Sequence, residues 1–102
     1  MSSQVTSESD SQYPVPSNLC LQHAIKLSIV DDRPILMDYW TYSCDKEALI
    51  GIRESGEKLL VKSEDEYTSP IKKIFKVETE YIVVTENSIY IVKNDIATRR
   101  IS

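Results

Sequence analysis

From residue 19 onward, apolar and polar positions alternate. Leu19, Leu21, Ile25, Leu27 and Ile29 stand at odd positions, with Gln22, Lys26 and Ser28 between them. Period two is the pattern of a strand with one covered face, so residues 19–30 are predicted as one long strand. Ser17 and Asn18 are good helix N-caps and leave room for a short helical turn at its start. Asp31-Asp32-Arg33-Pro34 is a turn cluster, and Ile35, Met37 and Tyr39 predict a second strand over residues 35–42. Matching the apolar faces sets Ile29 opposite Ile35, Leu27 opposite Met37 and Ile25 opposite Tyr39. The same register brings His23 to Thr41 and Cys20 to Cys44.

The pattern continues with strands at residues 47–53 and 58–63, joined by a two-residue turn at Ser55-Gly56 in which Gly56 supplies the positive φ. Ile52 then faces Leu59, and Ile50 faces Val61. Pro70 opens a strand at residues 71–77. The last hairpin spans residues 80–85 and 88–93 and turns at Glu86-Asn87, where Asn87 tolerates the left-handed conformation. It pairs Val84 with Ile89, Val83 with Tyr90, Ile82 with Ile91 and Tyr81 with Val92. Both of its faces are apolar, so it belongs in the middle of a sheet or against a second copy. Short strands separated by turn signals at this spacing predict an all-β domain, a single small antiparallel barrel or sandwich of about six to seven strands.

Composition changes the picture at the ends. Residues 1–18 carry six serines and few large apolar side chains, too little to offset the entropy of ordering them, so they read as a disordered tail. The β domain is then residues 19–95, and residues 96–102 read as a frayed C-terminus. Tyr13-Pro14-Val15-Pro16 favours an extended polyproline conformation, as either a docking segment or a plain linker. Ser7-Glu8-Ser9-Asp10 looks like a site for an acid-directed kinase, as any acidic serine-rich tail does. The tail has neither the basic start and apolar run of a secretory signal nor the arginines of a transit peptide. No apolar stretch is long enough to cross a membrane. The expected setting is therefore cytoplasmic and reducing, with no membrane partner and with free thiols.

The segment Thr68-Ser69-Pro70-Ile71, followed by Thr85-Glu86-Asn87-Ser88-Ile89-Tyr90, resembles the end of many small uncharacterised β proteins of bacteria and large DNA viruses. The resemblance covers about a quarter of the chain. It implies a small SH3-like or sandwich domain and assigns no activity and no site.

The inventory for chemistry is short: one His, two Cys and two Gly. His23 stands in the apolar series of the first predicted strand, where a lone histidine is a packing residue more often than a base. Cys20 and Cys44, placed opposite each other by the predicted register, read as a redox pair or as two small buried hydrophobes. With His23 they supply three zinc ligands where a structural site needs four, and no Cys-x-x-Cys spacing exists, so no metal is expected. Glu64-Asp65-Glu66 lacks the alternating ligands and the glycine of a calcium loop. No Gly-rich phosphate loop and no Ser-His-Asp arrangement can be assembled, and no cofactor is expected.

Two constellations remain. Lys72, Lys73 and Lys76 cluster on one predicted strand, near the aromatics Tyr39, Trp40 and Tyr42. Lysines interleaved with aromatics hold single-stranded nucleic acid in small barrels, and lysines also protect an exposed sheet edge. The net charge is −4, and residues 19–102 still hold fourteen acids against twelve bases, which argues against a nucleic-acid partner. Trp40 and Tyr42, with Tyr81 and Tyr90 on the last hairpin, are candidate anchors for a protein interface. The sequence thus points to a non-enzymatic interaction or assembly module whose partner is another protein or a second copy. A weak single-stranded nucleic-acid binder is the alternative.

Overall fold

The computed structural model describes residues 13–101; the acidic serine stretch lies outside the described residues. The elements run α1 (Asn18–Asp31), β1 (Ile35–Leu36), α2 (Trp40–Cys44), β2 (Leu49–Ile52), β3 (Lys58–Val61), β4 (Ile71–Val77), β5 (Glu80–Thr85), β6 (Ile89–Lys93) and β7 (Ala97–Arg100). The strands form two sheets, in the orders β1-β6-β5-β4 and β3-β2-β7. The body is the small, mainly β domain that the pattern predicts, with open sheets that do not close into a barrel. Two pairs, β1 with β6 and β2 with β7, are parallel rather than antiparallel.

The last hairpin has the predicted register, pairing Val84 with Ile89, Val83 with Tyr90, Ile82 with Ile91 and Tyr81 with Val92. It lies at the centre of the four-stranded sheet, and both faces are covered by its own chain. Val83, Tyr90 and Val92 meet Tyr39, Ala48, Ile50, Leu60 and Ile96 on the side of the small sheet. Ile82, Val84, Ile89 and Ile91 meet Cys20, Ala24 and Trp40 on the side of the helices. Covering from within removes the need for a second copy over this hairpin. Asn87 does not adopt the expected left-handed conformation. Thr85 closes the turn instead: its Oγ1 accepts from the Ser88 and Asn87 amides at 3.1 and 3.3 Å.

Residues 19–30 form a helix, not the predicted strand. Ser17 is its N-cap, with Oγ accepting from the Cys20 amide at 3.1 Å, and Asp32 closes it in the left-handed conformation at φ 55°. The segment contains no Gly or Pro, and its large aliphatic residues lie on several sides of the helix. A helix apolar on several sides gives no clear 3.6-residue signature, and its alternation imitates a strand. Cys20 and Ala24, small and fully buried, let α1 approach the sheet closely. The second predicted strand shrinks to Ile35–Leu36, because the chain turns where the Trp40 amide bonds the Met37 carbonyl at 3.1 Å and α2 begins. The pairings of Ile29 with Ile35, Leu27 with Met37, Ile25 with Tyr39, His23 with Thr41 and Cys20 with Cys44 therefore do not exist as strand neighbours; β1 pairs with β6.

The β2–β3 hairpin exists with its register moved by one residue. Ile52 pairs with Lys58, Ile50 with Leu60 and Leu49 with Val61. The loop holds three residues instead of two: Arg53 bonds Glu57, and the Gly56 amide bonds the Arg53 carbonyl at 2.9 Å, with Gly56 at φ 94°. The shift turns Leu60 into the core and leaves Leu59 and Val61 on the outer face of the small sheet.

Within residues 96–102, expected to fray, Ala97–Arg100 form β7. Ile96 is buried, Ala97–Arg100 pair with β2, and the Ile101 amide bonds the Ile52 carbonyl at 2.8 Å. The reason lies in Gly51. A Cβ there would come within 2.6 Å of Ile101 Cδ1 and 3.1 Å of Val61 Cγ2, so Ile101 occupies the space that the glycine leaves. Gly51→Ala is expected to cost about 1–3 kcal/mol by displacing Ile101, and Ile101→Ala in the same chain to recover much of it. Urea denaturation of the two single variants and the double variant checks this.

Part of the expected tail is ordered. Tyr13–Ser17 strap the start of α1 to the body. The Trp40 indole donates to the Pro14 carbonyl at 2.8 Å, the Tyr13 hydroxyl to Asp45 at 2.8 Å, and Pro16 is buried. The Tyr-Pro-Val-Pro segment thus docks within its own chain, and the rest of the expected tail, residues 1–12, lies outside the described residues.

Candidate functional site

The residues singled out by sequence divide between core and surface. Trp40 and Tyr90 are 5% and 9% exposed, so as interface anchors they are corrected to core residues. Tyr90 stacks edge-on against Tyr39, ring centres 5.1 Å apart. Tyr81 is half-buried beside the same core. Tyr42 keeps its surface, but its ring lies 4.9 Å from Lys62 Nζ. Lys62 also lies 4.7 Å from the Tyr39 ring and bonds Asp38 at 3.2 Å, so its charge is already engaged.

Lys72, Lys73 and Lys76 are all exposed on β4, an edge strand. They do not form one basic face. Ile74 turns to the core beneath the small sheet and Val77 to the core beneath α1. Strand alternation therefore puts Lys76 on the side of Ile74 and Lys73 on the side of Val77. The aromatics Tyr39, Trp40 and Tyr42 belong to α2 and its cap, packed on β6 rather than beside β4. Edge protection fits this arrangement.

Both cysteines are free, on different helices that flank the same core. Burial pushes the Cys20 thiol up to about 11, and the Glu80 carboxylate adds to it. Burial also raises Cys44, against a smaller opposing effect of Lys93. Protons held more tightly in the fold than in the open chain stabilise the fold at lower pH and cease to do so as the pH climbs. For Cys20 that window runs from the ordinary 9.0 to about 11, and Tyr39 and Tyr90, raised by burial, extend it upward. Stability is expected to fall above pH 9 in thermal melts. Below it, a thiol reagent should label Cys44 and leave Cys20 unmodified in the native protein. Equal rates at the two thiols would contradict the burial described.

His23 is exposed on α1 and borders an apolar furrow with Leu19, Leu27 and Phe75. It is neither in the predicted strand nor beside Thr41. Among the described residues, no group of three His, Cys, Asp or Glu is placed to hold a metal ion. No helix among them is long and apolar enough to cross a membrane.

A concavity with a volume of about 560 Å³ lies elsewhere, over the outer face of the small sheet. Its floor is aliphatic: Leu49 from β2, Leu59 and Val61 from β3, and Ile101 after β7. Leu59 is on this face only because the hairpin turns through three residues. Ile101 is there because Gly51 makes space. The rim is cationic. Arg53 follows β2 and Arg99 comes from β7, both on the face of Leu49 and Gly51, whereas Arg100 pairs with Ile52 and alternates to the other face. Lys62, which also borders the groove, is engaged by Asp38, and Glu64 is the one acid among the lining residues.

The three arginines differ in their engagement. Arg53 lies 5.7 Å from the Tyr67 ring and 3.9 Å from Glu57, a loose, exposed pair. Among the described residues, Arg99 and Arg100 have no ion pair. The chain matches no family model, no curated protein and no solved structure. The reading of the groove therefore rests on its own residues. Sequence inspection missed it because Arg99 and Arg100 fall in the segment read as frayed, and because Leu59 and Val61 were turned inward by the two-residue turn. The one available signal was Gly51, a glycine inside a strand, which marks a close approach by another group.

Proposed function

We propose that this protein is a non-enzymatic binding module that holds a segment of another protein in the groove over its three-stranded sheet. The observation that carries this reading is the combination of an aliphatic floor with exposed guanidinium groups at the rim. Apolar contact supplies affinity, and arginine, with its planar fork of donors, orients a partner's carboxylates or carbonyls. Volume supports it too, since the groove falls within the range of small-ligand and peptide sites. The other reading, single-stranded nucleic acid on β4, has less support, because its lysines are split between two faces.

A selection from a random peptide library displayed on phage tests the proposal, with the wild-type protein and a Val61→Arg variant as parallel targets. Val61 is half-buried at the groove floor, so arginine there fills the groove. Enrichment on the wild type and none on Val61→Arg is the expected result, with matching circular dichroism to show that the variant folds. No enrichment on the wild type, or equal enrichment on both, would overturn the proposal.

A further inference from the structure

We infer that the occupant of the groove is an extended acidic segment that alternates carboxylates with aliphatic side chains; this rests on the protein-binding reading above. The argument is charge complementarity on a chain of opposite overall sign. The protein carries a net charge of −4, yet this groove brings Arg53 and Arg99 together with one acid, Glu64. Arg53 and Arg99 lie on the groove's face of the small sheet, and among the described residues Arg99 has no ion pair. An arginine without an ion pair is hydrated when free and pairs bidentately when a carboxylate arrives.

The floor decides between classes of anion. Leu49, Val61 and Ile101, each half-buried, offer aliphatic contact above the buried Leu59, which suits leucine and valine side chains. Nucleic acid needs stacking platforms, and the one aromatic ring at this groove, Tyr67, is already covered on one side by Arg53. A long polyanion would also lie against the negative remainder of the surface, whereas a short acidic segment is confined to the cationic patch. Side chains along an extended chain alternate in direction, so aliphatic residues can turn to the floor while neighbouring carboxylates turn to the rim. A stretch of about eight residues, at roughly 3.3 Å each, crosses the small sheet with margin at both ends.

Fluorescence anisotropy with a labelled peptide of about eight residues, alternating Asp and Leu, tests this on the full chain. Binding is expected to weaken about tenfold between roughly 0.05 and 0.5 M salt. It should also weaken about fivefold or more in Arg99→Gln, whose exposed position leaves the core intact. The isosteric peptide with Asn for Asp should bind at least about tenfold more weakly than the acidic one. Equal binding of the Asn peptide, or selection of groove-dependent peptides without acidic residues, would overturn the inference and leave the protein-binding reading standing. Tighter binding of an oligothymidylate, lost in the same arginine variant, would overturn both.

Discussion

Ile82→Ala is expected to lower the stability of this domain by about 2–5 kcal/mol, the usual cost of cutting a buried isoleucine to alanine. Ile82 is fully buried on β5, on the hairpin face that packs against Cys20 and Ala24 of α1. Those two side chains are small, so they cannot swell into the space, and neighbouring Ile89, Ile91 and Val84 belong to rigid central strands. The cavity would therefore stay largely open, which puts the cost toward the upper part of that range. For a domain of this size it is a large share of the whole stability. Urea unfolding followed by tryptophan fluorescence reads it directly, because Trp40 lies in the same core. A loss below about 1 kcal/mol would mean that α1 does not cover this face.

The second large effect is expected at Glu80. Its side chain is only 4% exposed, at the start of β5, and its carboxylate accepts from the Ser17 amide at 3.1 Å and the Ser17 hydroxyl at 3.0 Å. The Thr79 hydroxyl donates to it at 3.3 Å. Ser17 in turn caps α1, so one carboxylate fixes the entry of the helix to the sheet and lies close to the positive end of the helix dipole. Glu80→Ala leaves the Ser17 amide without its acceptor and is expected to cost about 2–3 kcal/mol. Glu80→Gln keeps the shape and one acceptor oxygen and should lose less. Hydrogen exchange adds a local readout: in Glu80→Ala, the amides of the first turn of α1 should exchange faster than those of β6.

Much of the strand pattern was legible where local chemistry and long-range packing agree. The β5–β6 register follows from two apolar faces that fit only one way, and Pro70 marks the start of β4. The first third was misread for a physical reason. Helix α1 exposes Ile25, Ile29 and Val30 and buries small Cys20 and Ala24, so its hydrophobic pattern points nowhere in particular. Its start was visible in Ser17, but the partner that fastens it, Glu80, lies far along the chain. The candidate site was hardly legible at all. It depends on a one-residue difference in a turn, which puts Leu59 and Val61 outside, and on a C-terminal strand with only four exposed residues. Neither is written in local composition; both are consequences of pairing with β2.

The central claim, that the outer face of the small sheet is the working surface, is tested most directly by mapping where a bound peptide acts. Amide chemical shifts would be recorded for the full chain with and without the tightest peptide selected on it. The changes are expected at Leu49–Ile52, Lys58–Val61, Tyr67 and Ala97–Arg100, the strands and loop around the groove. Changes centred on α1 or on the lysines of β4, with the small sheet unmoved, would contradict the account.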